Sequence, residues 1–393
     1  MKHIIYAARL CSQQQFDAFF ETANVTVSQQ AQKYHRLLVE GFAQNSIDVQ
    51  VVGILPVSRE ITDKCYVKGG VEQDNGVSYN VIGLVNIPII KNLFLALASF
   101  FRTWRLIKDR KHTVVFCDVL NISLSFGALL AAKIKRVQCI GVVTDVPGHM
   151  SNRQNRLFVA INNAIIHAFS AYLFLTQQMS NVVNKNNKPY IVIEGQVDIN
   201  MSQVQNMPEV KYFPRVCIYA GGVEESYGLG LLCEAFVQLD MPDVVLRIYG
   251  DGDYVERLQR LSAQHGNIEY MGIVKNDDVI IEQLRATLLI NPRPTHHVFT
   301  QYSFPSKNLE YMASGTPVLT TRLPGMPSEY YPYVFLFEEE SVDGYAKTLQ
   351  NVLSNSNEVL HEHGRLAKQF VMEAKNNVFQ VAKIIKWIDE RIV

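Results

Sequence analysis

The feature that most constrains the fold is an alternation of short apolar runs, rich in β-branched and aromatic residues, with longer segments of helical periodicity. This alternation is typical of parallel β-sheets covered by helices. It weakens over residues 184–207, where polar residues replace the periodic apolar positions, and then starts again. The sequence therefore predicts an α/β protein with two doubly wound, Rossmann-like domains.

The length of the chain agrees with two domains. At 393 residues it is too long for one ordinary α/β core and suits two domains of roughly 200 residues each. We predict an N-terminal domain over residues 1–205, a C-terminal domain over 206–375, and a final helix over 376–393 that returns to the N-terminal domain. Because doubly wound sheets bind ligands beyond the carboxyl ends of their strands, the domains are expected to face a central cleft.

The periodicity also predicts individual elements. In the first half we predict strands at 2–7, 49–55, 113–117, 138–144 and 171–175, with helices at 28–44 and 124–133. In the second half we predict strands at 215–220, 244–250, 267–271, 287–291 and 317–321, with helices at 229–239, 254–264, 277–285 and 306–313.

Composition excludes several classes of function. Lys plus Arg and Asp plus Glu number 37 each, so no global positive field would hold nucleic acid, and none is expected as a partner. The six cysteines lack CxxC spacing and mostly lie in apolar runs, which predicts buried, reduced thiols in a cytoplasmic protein. The N-terminal residues lack the apolar core of a secretory signal, and no apolar run reaches the ~20 residues of a membrane span.

The segment over residues 91–111 allows two interpretations. Its apolar part, LFLALASFF, is flanked by lysines and arginines. Five residues recur at helical spacing: Leu93, Leu97, Phe100, Trp104 and Ile107. The pattern fits a helix lying in the interface of a membrane, at the inner face of the cell membrane, and it fits equally a helix that packs this stripe on its own sheet.

The segment YSFPSKNLEYMASGTPVLTT, residues 302–321, carries the most chemical information. Pro305 suits the first turn of a helix, and the amides of Ser306 and Lys307 would then be free to attract phosphate together with the lysine charge. Glu310 follows one turn later, where its carboxylate would accept hydrogen bonds from a sugar diol. The same residues also fit an ordinary capped helix without a ligand.

Two further positions are expected at the same edge of the sheet. Arg293, in LLINPRP, follows a buried apolar strand and would meet the same phosphates, or alternatively would pair with an acid. Gly221 and Gly222, in AGGVEESYGLG, allow the backbone to approach a ligand closely. Their spacing is not GxGxxG, and such turns use glycine for steric reasons about as often.

Five segments, in their order and approximate spacing, resemble the C-terminal domain of retaining glycosyltransferases of family 4, in the variant with an SFPSKxxEYMASGxPV motif. They are AGGVEESYGLGLLCEAF, RIYGDGDYVERL, NIEYMGIV, LLINPRP and SFPSKNLEYMASGTPVL. The resemblance spans residues 216–319 and is looser in the first half of the chain. It implies a GT-B fold, a nucleoside-diphosphate-sugar donor, retention of anomeric configuration, and neither an obligatory metal nor another cofactor.

The resemblance also assigns residues. Glu310 matches the second glutamate of the family's paired motif, which binds the donor ribose. The first glutamate would fall at Tyr302, and the family's basic pair would fall at Gly222 and Tyr227, so this chain departs from the pattern at these positions.

Other groups must then act for those that are missing. Lys307 and Arg293 are the expected replacements for the basic pair, and the backbone near Phe304 would orient the sugar. The backbone over residues 270–272, which are Tyr270, Met271 and Gly272, is implied to edge the base.

In the first half, Asp145 is the main candidate. It follows Thr144 at the place where relatives often carry His-Asp beside the reacting sugar. It would hold the acceptor hydroxyl or stabilise positive charge at the anomeric carbon, or else form an Asx turn before Pro147 and Gly148. Asp118, at another strand end, is a weaker candidate.

Four histidines lack metal-ligand companions at suitable spacing and are expected on the surface or in loops. They are His296, His297, His361 and His363.

The sequence thus predicts transfer of a hexose-type unit from a nucleotide sugar to a glycan or lipid-linked acceptor, in polysaccharide or cell-envelope glycan synthesis. Lys307 and Arg293 would stabilise the leaving diphosphate. Two alternatives stay open: a GT-B enzyme that epimerises or hydrolyses the sugar nucleotide, and a non-catalytic subunit that keeps the fold as a scaffold or sensor.

Overall fold

The structure, a computed structural model, describes residues 2–20, 30–57, 62, 64–87, 90–146 and 156–392. The chain divides into two compact units, Met1–Gln196 with Asn377–Val393, and Val197–Asn376. Parallel sheets with covering helices form both units, so the predicted α/β class is confirmed.

The first unit has ten described strands, eight of which form one large sheet. Its strands are β1 (His3–Ala8), β2 (Asp48–Gly53), β3 (Tyr66–Val67), β4 (Gly70–Asp74), β5 (Val77–Val81), β6 (Leu84–Val85), β7 (Thr113–Asp118), β8 (Cys139–Val143), β9 (Ala171–Phe174) and β10 (Tyr190–Val192). In the described part of the unit, an eight-stranded sheet has the order β10-β9-β8-β7-β1-β2-β5-β4. The strand β4 pairs antiparallel with β5, the other neighbours pair in parallel, and β3 and β6 form a separate antiparallel pair.

Helices join these strands. They are α1 (Gln13–Phe20), α2 (Gln30–Gln44), α3 (Ile90–Leu106), α4 (Ile122–Lys135), α5 (Arg156–Ile166) and α6 (Gln177–Val183). The helices α3 and α4 pack directly on each other, since a side chain at Gly127 would collide with the backbone of Ala96 and Phe100. None of the described helices has the length and apolarity that a membrane span requires.

The second unit has one parallel sheet. Its strands are β11 (Arg215–Ala220), β12 (Val244–Tyr249), β13 (Ile268–Gly272), β14 (Leu288–Asn291), β15 (Val318–Thr320) and β16 (Phe335–Leu336), in the order β13-β12-β11-β14-β15-β16. Its helices are α7 (Leu229–Gln238), α8 (Val255–Gln264), α9 (Asn276–Arg285), α10 (Ser306–Ser314), α11 (Val342–Leu353) and α12 (Asn357–Ala374). Counted from β11, the strand order is 3-2-1-4-5-6, which is that of a Rossmann fold.

The residues of β11 show why a two-sided sheet forms here. Val216 and Ile218 belong to one hydrophobic core, whereas Cys217 and Tyr219 belong to the other. Successive side chains of a strand point to opposite faces, so a continuous run of apolar residues buries both faces under helices.

The last helix, α13 (Asn377–Arg391), belongs to the first unit. It packs on α2, and its Val381, Ile384 and Ile388 join the core of the large sheet. The sequence was divided at residue 205, whereas the second unit already begins at Val197. The amide of Val197 donates to Lys375 O at 3.0 Å, and the 3-10 helix Ile199–Gln203 packs on α10 and α12, which ties this segment to the second unit.

The predicted strands and helices agree with the observed ones to within one or two residues at each end, although residues 28 and 29 lie outside the described residues. The region from β3 to β6 was not predicted, because its short strands carry mixed polar residues. All six cysteines are free, as expected for reduced thiols, but the expectation that all are buried is wrong, since Cys65 is exposed.

Candidate functional site

The candidate site lies at the carboxyl ends of β11 and β14 in the second unit. These strands are neighbours, and the strand order reverses direction between them. A doubly wound sheet opens a crevice at this switch point, where ligands bind. Gly221 follows β11 directly and Arg293 comes two residues after β14, so the sequence placed both at the correct edge.

The helix α10 is held over this edge by a phenol. Tyr311 Oη accepts a hydrogen bond from Ala220 N at 2.8 Å and donates to Ala220 O at 3.2 Å. The strands β11 and β14 pair at Cys217 and Ile218, and the phenol bonds the part of β11 that extends past this pairing. Tyr311 thereby fixes the start of α10 beside Gly221.

A buried amide network holds the same helix to the next strands. Asn291 Nδ2 donates to Asn308 Oδ1 at 2.7 Å, and Asn308 Nδ2 donates to Thr320 Oγ1 at 3.2 Å. Asn291 ends β14, Asn308 lies in the first turn of α10, and Thr320 ends β15. Three elements therefore share one set of satisfied polar groups.

A glycine brings the loop after β11 close to the loop after β14. Gly228 has φ 83°, and a Cβ there would collide with Pro292 O. Both the left-handed backbone and the close approach favour glycine at this position. The preceding Tyr227 is thus held next to Arg293.

Lys307 extends from α10 over the backbone of Gly221. Its Nζ donates to Tyr219 Oη at 3.1 Å, and Tyr219 Oη donates to Gly222 O at 2.6 Å. A Cβ at Gly221 would collide with the Nζ and Cε atoms of Lys307. Glycine at 221 is therefore required for the lysine to occupy this position.

Arg293 and Lys307 meet at the ring of Tyr227. The guanidinium carbon of Arg293 lies 4.6 Å from the centre of this ring and 5.4 Å from that of Phe299, and Nη1 donates to Ser303 Oγ at 3.2 Å. The Nζ atom of Lys307 lies 5.7 Å from the centre of the Tyr227 ring. We call Arg293, Lys307, Tyr219 and Tyr227 the cation cluster.

The cation cluster carries more positive charge than its surroundings stabilise. Burial and, to a smaller extent, the positive charge of Arg293 lower the pKa of Lys307 to about 7, although Glu310 acts in the opposite direction. A group whose charged form is so disfavoured regains its proton when an anion binds beside it. The electrostatics of the cluster therefore suit a phosphate-bearing ligand.

The predicted amides of α10 need a correction. Pro305 precedes the first helical residue, and Ser306 N donates to Phe304 O at 2.9 Å, so this amide is not free. The side chain of Ser306 is exposed. The ring of Phe304 packs in the core 5.4 Å from the ring of Tyr330, so only its backbone can contact a ligand.

Glu310 and Tyr302 are both half-buried residues of the second unit. Glu310 is half-buried and close enough to Lys307 to affect its pKa, so the structure groups the predicted ribose ligand with the predicted phosphate ligand. Tyr302 is half-buried at the end of the 3-10 helix Val298–Gln301.

Residues 270–272 end β13, which is the second strand from β11. With strands about 4.8 Å apart, the two strand ends lie roughly 10 Å from each other. Gly250 N donates to Gly272 O at 2.8 Å and Tyr270 Oη donates to Gly250 O at 2.9 Å, while Met271 is exposed. The backbone of this turn thus lies at the same carboxyl edge as Gly221.

In the first unit, Asp145 follows β8. Its Oδ1 accepts a hydrogen bond from the amide of the next residue, Val146 N, at 2.7 Å, whereas an Asx turn would bond the residue two positions on. Pro147 and Gly148 lie outside the described residues.

Asp118 is buried in a network that the sequence did not reveal. Tyr6 Oη lies 2.7 Å from His35 Nδ1, and His35 Nε2 lies 3.4 Å from Asp118 Oδ2. Burial raises the pKa of Asp118, but the attraction of His35 and hydrogen bonds from Leu120 N and Asn121 outweigh it and hold this pKa below its usual range. Asp118, the weaker catalytic candidate, is therefore a buried member of a hydrogen-bond network and does not lie at an open surface.

The four histidines do not share one site. His296 is exposed, His297 and His361 are half-buried, and the ring of His363 stacks on Phe335 at 4.1 Å between centres. Among the described residues, no three His, Cys, Asp or Glu side chains cluster as metal ligands would.

Comparisons with known proteins show what the second unit is similar to. Residues 208–375 match the sequence profile of the family described as Glycosyl transferases group 1. No curated protein sequence matches the chain. Over these residues the second unit is therefore similar to group 1 glycosyltransferases.

Solved structures with similar folds cover nearly the whole chain. Sucrose-phosphate synthase from Thermosynechococcus elongatus shares 13% identity at a TM-score of 0.68, covering 99% of both chains. Anabaena Alr3699/HepE in complex with UDP and glucose shares 13% at a TM-score of 0.66, covering 99% of this chain and all of its own. The E. coli trehalose-6-phosphate protein bound with UDP-2-fluoro glucose shares 8% at 0.68, covering 100% of this chain and 99% of its own.

At such low identity these structures define the fold. The chain has the GT-B fold, in which two Rossmann-like domains follow one another, as the sequence predicted.

Proposed function

We propose that this chain is a retaining glycosyltransferase of family 4 that takes its sugar from a nucleoside-diphosphate sugar bound by the second unit. One observation carries the proposal: Arg293 and Lys307 converge on Tyr227 at the switch point of a Rossmann fold. A diphosphate supplies the negative charge that this cluster lacks. The group 1 domain over residues 208–375 supports the same assignment.

The remaining site residues receive roles around the diphosphate. The backbone at Gly221 and Gly222 lies against the phosphates, and Glu310 accepts hydrogen bonds from the ribose diol. The backbone of residues 270–272 edges the base, roughly 10 Å away across the strand ends. The exposed hydroxyl of Ser306 also contacts the donor, and the backbone of Phe304 orients the sugar.

The reaction breaks the bond between the anomeric carbon and the β-phosphate oxygen and forms a bond from that carbon to an acceptor hydroxyl oxygen. The departing phosphate gains negative charge, which Lys307 and Arg293 stabilise. The acceptor proton passes to the departing phosphate oxygen, so attack occurs on the same face and configuration is retained. Asp145 of the first unit is proposed to hold the acceptor hydroxyl, and the cations of the chain take the place of a metal.

The donor and acceptor classes follow as narrower proposals. Similar structures contain UDP, glucose, UDP-glucose or UDP-2-fluoro glucose, which makes a uridine-diphosphate hexose the first donor to test. The acceptor is proposed to be a glycan or lipid-linked glycan of polysaccharide or cell-envelope synthesis in the cytoplasm. The six free cysteines agree with that compartment.

A binding and turnover screen tests the proposal. Uridine, guanosine and adenosine diphosphates and their sugar conjugates are compared by thermal shift, followed by product analysis in the presence of chelator. We expect a selective rise in melting temperature with one base. We expect Arg293→Gln to weaken that nucleotide by about 10- to 100-fold, because a hydrogen bond to a charged group is lost.

Arg365→Gln is the matched control, since Arg365 is an exposed arginine of the same unit that pairs with Glu362 on α12. It should leave nucleotide affinity unchanged. No binding by any nucleotide, or equal losses in both variants, would rule out the donor site.

The tyrosine at position 302 is the reason to test for a second function. A glutamate stands there in the family pattern, and Tyr302 has no carboxylate to orient a sugar. Nucleotide binding without sugar turnover would indicate a non-catalytic sensor or scaffold. Product formation without acceptor would instead indicate a sugar-nucleotide epimerase or hydrolase.

A further inference from the structure

The outer faces of α3 and α4 carry large apolar side chains that remain exposed. On α3 they are Ile90, Leu93, Phe94, Leu97 and Phe101, and on α4 they are Phe126, Leu130 and Ile134. Their relative exposures lie between 36% and 66%, in contrast to the buried Leu95, Ser99 and Thr103 of α3. Isolated exposed apolar residues are ordinary, but eight at helical spacing on neighbouring helices are not.

This arrangement bears on the two interpretations of residues 91–111. The stripe predicted from Leu93 to Ile107 is not buried as a whole, because Ile107 is buried whereas Leu93 and Leu97 face solvent. The unit buries α3 instead through Leu95 and small polar residues. Its most apolar face is therefore not part of the core of this unit.

The two helices run side by side in the same direction and form one surface. Ser99 Oγ donates to Leu124 O at 2.7 Å, and Gly127 lies against the backbone of Ala96. Further along, Lys135 Nζ lies 4.5 Å from the centre of the Trp104 ring. With about 100° of rotation per residue, the exposed residues of each helix lie on the side opposite its buried residues. Because the two helices are in contact, their exposed sides form one continuous surface.

Cations surround the carboxyl ends of both helices. Eight of them lie there: Arg102, Arg105, Lys108, Arg110, Lys111, Lys133, Lys135 and Arg136. A ninth cation, Lys91, lies in the first turn of α3, where its Nζ donates to Val57 O at 2.9 Å. Residues 90–136 contain two acids, of which Asp118 is buried and Asp109 lies 2.6 Å from His112. Since the whole chain is neutral, this positive charge is a local concentration.

We infer that the α3–α4 surface docks on a bilayer that contains anionic phospholipid. Apolar side chains on one face of a helix enter the boundary of the acyl chains, and neighbouring lysines and arginines attract anionic headgroups. A symmetric contact with a second copy would place the two basic clusters against each other, because a two-fold interface uses the same patch on both subunits. Charge complementarity therefore favours the membrane over a second copy.

Vesicle co-sedimentation of the full chain tests this surface. We expect binding to phosphatidylcholine vesicles with about one third phosphatidylglycerol, weak binding to phosphatidylcholine alone, and release by about 0.5 M salt. Leu97→Ser with Phe101→Ser, and separately Arg105→Glu with Arg110→Glu, should each reduce the bound fraction about tenfold or more. Two independent pairs, each checked for native circular dichroism, separate a docking effect from misfolding.

A matched control pair comes from the second unit. Ile281 and Val359 are each 52% exposed, close to the 51% of Leu97 and the 56% of Phe101. Ile281→Ser with Val359→Ser should bind vesicles as the unchanged protein does.

Three outcomes would overturn the docking surface. They are no binding to anionic vesicles, equal binding by the Leu97 and Phe101 variant, and a concentration-dependent dimer in sedimentation that this variant abolishes. The last outcome would show that a second copy covers the face. Nucleotide affinity, measured on the same variants, should not change, so failure of docking and failure of the donor site are separate results.

Discussion

Replacing Lys307 with methionine should have opposite effects on stability and on nucleotide binding. Methionine keeps an unbranched, flexible side chain that is one atom shorter, and it removes the charge that the cation cluster disfavours. The Tyr219 hydroxyl retains its bond to Gly222 O at 2.6 Å, so the change leaves no orphaned donor there. The variant thus isolates the cost of the buried charge.

The magnitude follows from the pKa of Lys307. A fall from 10.5 to about 7 corresponds to about 5 kcal/mol, since each pKa unit is worth about 1.4 kcal/mol. Partial solvent contact makes this an upper limit, and the lost hydrogen bond to Tyr219 offsets about 1 kcal/mol. We therefore expect Lys307→Met to raise the free energy of unfolding by about 2 to 4 kcal/mol near pH 6.5.

The pH dependence has a definite sign. The folded state binds fewer protons than the unfolded state between pH 7 and pH 10.5, so the stability of the unchanged protein rises with pH across this window. The advantage of the variant should be full below pH 7 and should vanish as the pH approaches 10.5. Lys211, whose pKa burial also lowers to about 7, contributes equally to both proteins and cancels in the difference.

Calorimetry measures both effects. Scanning calorimetry at pH 6.5 and 9.5 gives the stability difference, and titration with UDP gives affinity, which we expect to fall about 10- to 100-fold in the variant. At pH 8 the unchanged protein should take up close to one proton on binding, seen as a dependence of the enthalpy on buffer, and the variant should take up none.

Lys347→Met, an exposed lysine of α11, is the control for loss of one charge. Equal stability of Lys307→Met and the unchanged protein at every pH would refute the burial argument. Unchanged affinity for UDP, together with no proton uptake, would refute the placement of the diphosphate.

Three further changes probe the supports of the two units. Gly221→Ala should weaken nucleotide binding, measured by titration, because its Cβ displaces Lys307; unchanged affinity would contradict the contact. Tyr311→Phe should cost about 1 to 3 kcal/mol in denaturant unfolding, because Ala220 loses its partner; no loss would show that another group replaces the phenol. Asp118→Asn should lower the free energy of unfolding by about 2 kcal/mol at neutral pH. This difference should shrink as the pH falls below the ordinary pKa of aspartate, because a lowered carboxyl pKa stabilises the fold only above that pH. Acid unfolding curves that keep a constant difference would contradict this.

Local patterns were sufficient to predict the repeated α/β architecture. The run RVCIYA is apolar on both faces, which a strand between two helical layers requires, and β11 was predicted to the residue. Gly221, Arg293 and Lys307 were predicted as site residues because each stands next to a strong strand or at a helix start. The strand order then places these three at one edge.

Contacts between distant residues were beyond reach of these patterns. Tyr311 bonding to Ala220, and Tyr6 with His35 and Asp118, depend on which faces of helices meet which strand ends. From the sequence, Tyr227 was noted only as a position where the family has a basic residue. In the structure, both Arg293 and Lys307 lie close to its ring. The amide of Ser306 was expected to be free because a local bond to Phe304 O cannot be read from residue types.

A crystal structure of the chain with UDP tests the central claim most directly. The account predicts diphosphate oxygens within hydrogen-bond distance, about 3 Å, of Nζ of Lys307 and of the guanidinium of Arg293, with the ribose beside Glu310. A nucleotide bound to the first unit, or a diphosphate that touches neither cation, would contradict it.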